Sequence, residues 1–148
     1  MTDLEYMHLA IAQAQAAGLR GEVPVGALVV LDDRILAAAG NRTITDCDPT
    51  AHAEIVALRE AAQSFDNYRL VGASLYVTVE PCAMCAGALV QARIARLIYG
   101  ADEPKGGAIR TCMRVLDAPA LNHRVEVLSG VLAAESAQLL QSFFALRR

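Results

Sequence analysis

The chain has 148 residues, 55% of them apolar and 20% charged, with a net charge of −3 and four cysteines. That length carries a hydrophobic core without staples, and the apolar content excludes an intrinsically disordered chain. The longest run free of Asp, Glu, Lys and Arg, from Tyr6 to Leu19, has 14 residues, against the roughly 18 that a membrane span requires. Twenty-eight alanines account for the apolar excess. The opening Met1-Thr2-Asp3-Leu4-Glu5 is acidic and lacks the pattern of a secretory signal, so a cytoplasmic chain with reduced thiols and no membrane association is expected. Twelve of the 13 cations are Arg and the other is Lys105. The acidic balance argues against binding nucleic acid over the whole surface and leaves room for a local basic patch.

In chain order, Asp3 to Ala17 is predicted as a helix with Leu4, Met7, His8, Ile11 and Gln15 on one face and Gly18 at its end. Val25 to Leu31 and Arg34 to Ala39 read as strands of a hairpin turning at Asp32-Asp33. Asn41 to Asp48 is polar and loop-like. Pro49 opens a predicted helix to about Gln63, with Asp48 as its N-cap. Ser74 to Val79 is a strand, Cys82 to about Ala92 a helix opened by Pro81, and Ile94 to Tyr99 the next strand. A loop from Gly100 to Gly107 leads to a short helical piece near Met113 to Leu116. A strand near Arg124 to Leu128 and an amphipathic helix from Val131 to Arg148 complete the chain. Strands alternating with helices predict an α/β domain over residues 1–148. Its sheet is expected to be mostly parallel after the opening hairpin, with helices on both faces.

Three segments stand out: Thr50-Ala51-His52-Ala53-Glu54 at a helix start, Glu80-Pro81-Cys82-Ala83-Met84-Cys85 between a strand and the next helix, and Gly40-Asn41-Arg42 at the end of the hairpin. Cys82 and Cys85 are three apart at a helix N-terminus, which puts both thiols on one side of an end that favours anions. His52, at the start of the other helix that follows a strand, is the natural third ligand. Two thiolates and an imidazole suit zinc. His52 and Glu54, two apart, do not share a face of a regular helix, so both reach one ion only from the first turn. Three ligands without a fourth leave a position for water, as in catalytic rather than structural zinc sites. A carboxylate beside such a water, Glu54, takes its proton and delivers it elsewhere. Glu80, just before a helix-opening Pro, is a less favoured base and reads as structural. His123 reads as a loop or core histidine, and Cys47 and Cys112 as bystander thiols.

His52-Ala53-Glu54 followed by Pro81-Cys82-Ala83-Met84-Cys85 resembles the zinc-dependent cytidine and nucleobase deaminases. Six further segments narrow the resemblance to the bacterial tRNA-specific adenosine deaminase family: Glu22-Val23-Pro24-Val25-Gly26-Ala27, Asn41-Arg42, Asp48-Pro49-Thr50-Ala51-His52-Ala53-Glu54, Asn67-Tyr68-Arg69-Leu70, Cys85-Ala86-Gly87-Ala88 and Asn122-His123-Arg124-Val125-Glu126, joined by the Phe143-Phe144 pair with terminal Arg147-Arg148. The likeness runs in order along almost the whole chain. It implies a three-layer αβα fold of the cytidine-deaminase-like type with a mixed five-stranded sheet. It also implies one Zn²⁺ per chain on His52, Cys82 and Cys85, with hydrolysis of adenosine to inosine at the wobble position of a tRNA anticodon. By the same resemblance Glu54 moves the protons, Asn41 holds the flipped base and its ribose, the backbone near Ala53 reads the base edge, and Val25 lines the pocket. Members are homodimers that bind the anticodon loop beside the dimer interface. Arg69 and Lys105 match positions near RNA there, bordered by Phe144, Arg147 and Arg148. The chain departs from the family at Arg110-Thr111-Cys112, where many members carry a Gly-Ser step, and at Gly40, where some carry a large aromatic. Two other readings compete: a deaminase of a free base, nucleoside or nucleotide, and a non-catalytic zinc-dependent RNA-binding module.

Overall fold

Helix α1 (Asp3–Leu19) begins at a capping box: Thr2 Oγ1 accepts from Glu5 N–H at 3.2 Å, and Glu5 Oε2 accepts from Thr2 N–H at 2.9 Å. The structure, a computed structural model, describes residues 1–147. Helix α1 runs past Gly18, the expected stop, because Gly21 (φ 84°) supplies the left-handed turn instead and lets Glu22 N–H bond Ala17 O at 3.0 Å. Its buried face is Tyr6, Met7, Ala10, Ile11, Ala14 and Ala17. The expected face grouped Leu4, Met7, His8, Ile11 and Gln15; Met7 and Ile11 are buried, whereas Leu4, His8 and Gln15 are exposed. Alanine blurs the apolar period, and the stripe chosen is the one with alanines where the sheet comes closest.

Strands β1 (Gly26–Leu31) and β2 (Arg34–Gly40) form the hairpin. Asp32 and Asp33, with φ of 49° and 58°, make the tight turn that matches strand twist. Helix α2 spans Ala53–Phe65, β3 Ser74–Val79, α3 Ala83–Gln91 and β4 Arg96–Ala101. A 3₁₀ turn at Val115–Asp117, the short strand β5 (Glu126–Leu128) and α4 (Ala133–Ala145) follow.

The sheet has the order β2-β1-β3-β4-β5. β1 is antiparallel to both neighbours, while β3–β4 and β4–β5 are parallel. The sheet is therefore the mixed five-stranded one that the resemblance implied, and the mostly parallel sheet read from the alternation of elements is corrected to an even mixture. The β2–α2–β3 connection carries the chain over β1, so β3 runs parallel to β2 and hence opposite to the strand between them. Side-chain alternation then divides the core. Val29, Leu75, Leu97 and Tyr99 face α2 and α3. Leu28, Val30, Tyr76 and Ile98 face α1, with Val131 and Leu132 ahead of α4 packed against them. Asp3 fastens α1 to the sheet, accepting from Tyr76 Oη at 2.5 Å and Arg96 Nη2 at 2.9 Å.

This topology collects four connections at one end of the sheet. Gly26 and Gly40 are register partners, as are Val79 and Ala101. The entry to β1 and the exits of β2, β3 and β4 therefore meet there, where ligands bind in open α/β sheets.

Candidate metal centre

The start of α2 differs from the expectation in a way that forms the site. Asp48 does not cap the helix. Its carboxylate accepts from Thr50 N–H at 2.8 Å and Thr50 Oγ1 at 2.7 Å, closing a turn that spends Pro49 and Thr50 outside the helix. The N-cap is His52, with extended φ −66° and ψ 155°. Cys82 stands equivalently before α3, with φ −75° and ψ 177°. Neither side chain caps its helix, so each is available beyond the helix end. His52 thereby escapes the angular constraint of a regular helix, and Glu54 follows in the first turn.

His52, Cys82 and Cys85 come together, their ligand atoms all within 4.8 Å of one another. His52 Nδ1 lies 3.5 Å from Cys82 Sγ and 3.6 Å from Cys85 Sγ. A tetrahedral zinc with bonds of about 2.3 Å to sulfur and about 2.05 Å to nitrogen separates such atoms by about 3.5 Å. The donor set and its spacing therefore fit zinc. Among the described residues this is the one cluster of three or more potential ligands. The hydrogen bond from Cys85, then that with His52, holds the Cys82 thiol down at about 3. Cys85 is raised by the same contact with Cys82 and by its burial. His52 is raised, chiefly by its hydrogen bond with Cys82.

Glu54 is 4% exposed. Burial pushes its carboxyl up to about 6, against opposing effects of a backbone hydrogen bond and His52. A buried carboxyl group raised to about 6, in the first turn after His52, is suited to pass protons in both directions.

The other connections bring further expected residues to the same end of the sheet. Asn41 is buried, its N–H bonded to Val25 O at 3.1 Å, which ties the exit of β2 to the entry of β1. Ala53 is fully buried, and Val25 packs on the core. The other expected contacts are spread out. Arg69 is exposed beside the Tyr68 ring, 5.4 Å from its centroid. Lys105 is exposed on the loop after β4. Phe144 lies on α4, on the sheet face opposite α2 and α3, edge-on to Phe143. Arg147 covers the Phe143 ring and donates to its carbonyl at 3.0 Å. Arg148 lies outside the described residues. His123 meets Ile94 O at 2.7 Å through Nε2, a bond that ties its loop to the segment between α3 and β4.

Two further buried carboxylates hold loops: Glu80, expected to be structural, and Glu22, for which no role was expected. Glu22, fully buried, accepts from Thr45 N–H at 2.7 Å, Thr45 Oγ1 at 2.6 Å and Ile44 N–H at 3.3 Å, pinning the loop that follows Asn41. Glu80, 3% exposed, accepts from Glu103, Ile109, Arg110 and Thr111 N–H at 2.9–3.0 Å and from the Thr111 hydroxyl. Burial alone would raise Glu80; its loop donors, led by Arg110 and Thr111, outweigh this and hold it below the usual carboxylate range. The departure at Arg110-Thr111 is accommodated: Thr111 supplies a hydroxyl, and the Arg110 guanidinium folds onto Asp102 at 2.8 and 3.0 Å. The sequence signal for Glu80 was its place before Pro81 and that for Glu22 its place in a segment carrying the resemblance, and neither says where the partners lie.

Over residues 1–148 the sequence matches the family described as MafB19-like deaminase. The tRNA-specific adenosine deaminase of Agrobacterium fabrum is 50% identical over 143 residues, covering 97% of this chain and 94% of that protein. A solved structure from a study of A-to-I editing by tRNA:A34 deaminases at the wobble position of transfer RNA is also 50% identical, with a TM-score of 0.89 over 92% of this chain and 99% of the other. The guanine deaminase of Bacillus subtilis is similar at 31% identity and a TM-score of 0.69, covering 99% of this chain and 94% of that one.

Proposed function

The chain belongs to the MafB19-like deaminases and, among them, to the tRNA-specific adenosine deaminases, and from that premise we propose that it converts adenosine to inosine at the wobble position of a tRNA anticodon. The observation that carries the reading is a buried Glu54 in the same turn as a three-ligand His52–Cys82–Cys85 cluster. Three ligands with a carboxylate beside them suit hydrolysis, whereas four would close a structural site.

The ion proposed for this site is zinc, about one per chain, whose chemistry is to acidify a water at neutral pH. With His52, Cys82 and Cys85 holding the ion, Glu54 would accept a proton from the attacking water as its oxygen bonds to C6 of adenine. Glu54 would pass that proton to the ring nitrogen beside C6, then take the remaining proton from the new C6 oxygen and deliver it to the N6 amino group, which leaves as ammonia when the C6–N6 bond breaks. Water is consumed, and inosine and ammonia are the products. Asn41 is proposed to hold the extruded base and its ribose, with Val25 as a wall and the backbone near Ala53 against the base edge. Capturing a splayed-out base from a loop is the usual route to sequence-specific RNA recognition.

Arg69, Lys105 and Phe144 are proposed RNA contacts. The modest basic equipment fits an acidic chain that grips a loop locally. The second copy expected in a homodimer is assigned to the open groove between α2 and α3, lined by Ile55, Leu58, Tyr68, Ala88 and Gln91. Tyr68 there is 72% exposed, an aromatic surface suited to burial against a partner. A light-scattering mass of one chain would count against the dimer. No helix among the described residues is long and apolar enough to cross a membrane, and a tRNA substrate places the proposed work in the cytoplasm.

Likeness to a guanine deaminase keeps a free-base reading in view. Inosine formation in an anticodon stem-loop, assayed against free guanine, adenosine and cytidine, separates the two. Deamination of the stem-loop is expected, falling about 10²–10⁴-fold in Glu54→Gln with zinc retained. Turnover of a free substrate with the RNA untouched would overturn the assignment.

A further inference from the structure

Glu80 is a motif residue that the proposed chemistry leaves without a task. Its carboxylate is buried at the exit of β3, two residues before Cys82, and is occupied entirely by the loop that follows β4. Oε1 accepts from Glu103 N–H at 3.0 Å and from the Thr111 hydroxyl. Oε2 accepts from the N–H groups of Ile109, Arg110 and Thr111 at 3.0, 2.9 and 3.0 Å. One side chain thus holds both ends of a nine-residue loop.

The loop is tied to the site and to its own cation from the same anchor. Ala108 N–H bonds Pro81 O at 2.8 Å, in the peptide that leads into Cys82. Glu103, whose N–H is held by Glu80, accepts Lys105 N–H on its own carboxylate at 2.9 Å. Gly107 has no room for a side chain, because a Cβ there would overlap the Glu80 carboxylate. We infer that Glu80 is a positioning residue for the RNA substrate: it sets the loop from Glu103 to Thr111 against Pro81 and so fixes where Lys105 stands relative to the metal centre. The inference rests on the RNA-deaminase reading for its substrate and on the loop geometry for its mechanism.

A carboxylate is required because both oxygens accept from several donors. In Glu80→Gln the amide NH₂ replaces an acceptor of two or three donors, whichever way it is turned, and leaves them facing another donor. Loss of a contact to RNA remote from the reacting atoms removes binding shared by ground and transition states, which raises KM and leaves kcat.

The test uses the full-length, zinc-loaded protein and compares wild type with Glu80→Gln, Gly107→Ala, Thr111→Val and Thr111→Ser. Hydrogen exchange at Glu103 and residues 109–111 is measured together with KM and kcat on an anticodon stem-loop and zinc per chain. In Glu80→Gln the loop amides are expected to exchange at least about tenfold faster and KM to rise about tenfold, with kcat within about threefold and zinc retained. Gly107→Ala, which leaves the carboxylate in place, should reproduce that pattern and decides the matter if Glu80→Gln does not fold. Thr111→Val should give a smaller rise in KM, and Thr111→Ser should restore wild-type behaviour. A folded Glu80→Gln with unchanged KM overturns the inference, as does loss of kcat at constant KM with the loop still protected. A wild-type protein that leaves the stem-loop untouched refutes the RNA reading, while the exchange measurement still decides whether Glu80 holds the loop.

Discussion

Replacing Gly26 by alanine tests how closely α1 lies on the sheet. A Cβ at this position would sit on the Ala10 carbonyl oxygen, 2.6 Å from Ala14 N and 2.9 Å from Gln13 Cβ. Two of those atoms are backbone of α1, so no rotamer relieves the overlap. The helix has to retreat by about 1 Å, loosening Ala10, Ala14 and Ala17, which are fully buried. Overpacking of this kind costs about 1–3 kcal/mol, and backbone on both sides puts it at the upper end. The gain from stiffening the unfolded chain offsets less than about 1 kcal/mol. A net loss of about 2–3 kcal/mol is expected, read as a lower urea midpoint at unchanged slope and as a fall in Tm of about 5–10 °C. Gly26 joins Val25 to β1, so deamination should suffer as well. A Gly26→Ala protein within about 0.5 kcal/mol of wild type would refute the close-packing argument.

The opposite sign is expected at Gly87, inside α3 with nothing within 4 Å of its virtual Cβ. Gly87→Ala should stabilise by about 0.5–1 kcal/mol in the same denaturation assay. Cys82→Ala, or prolonged chelation, should strip the proposed zinc, measured by elemental analysis, and lower Tm because a ligand of the native state is lost; a Cys82→Ala protein that keeps stoichiometric zinc would contradict the ligand set. Burial alone would raise Glu22, but its bonds from Thr45 and Ile44 outweigh that and hold it below the usual carboxylate range. Its contribution is therefore complete above the ordinary carboxylate pKa and lost as pH falls through the depressed one. The stability gap between wild type and Glu22→Gln should be widest above about pH 5 and shrink as the solution is acidified toward pH ~3. A gap that grew on acidification would reverse the assigned sign.

The order and type of the main elements could be read directly from the sequence, because apolar runs, proline and turn residues are local signals. Ser74–Val79 coincides with its predicted bounds, and the Asp32-Asp33 turn lies where two short polar residues tolerate positive φ. The face of α1 was misassigned because alanine suits either side of a helix, and only contact with Gly26 and Gly40 selects one. The antiparallel pairing of β1 with β3 was out of reach because it depends on which strand the β2–α2–β3 crossover skips. At the site, the spacing of Cys82 and Cys85 announced a metal pair, and the open question was how His52 and Glu54 could serve one ion. The Asp48–Thr50 turn answers it by delaying α2 until Ala53. Glu22 and Glu80 mark the limit of sequence reading, since their donors lie some 20 to 30 residues away along the chain. By itself, then, the sequence determined the secondary elements and the candidate ligands, which depend on local chemistry. The tertiary structure decided the sheet order, the buried stripe of α1 and the anchoring of the loops, because each is a contact between segments that no local pattern encodes.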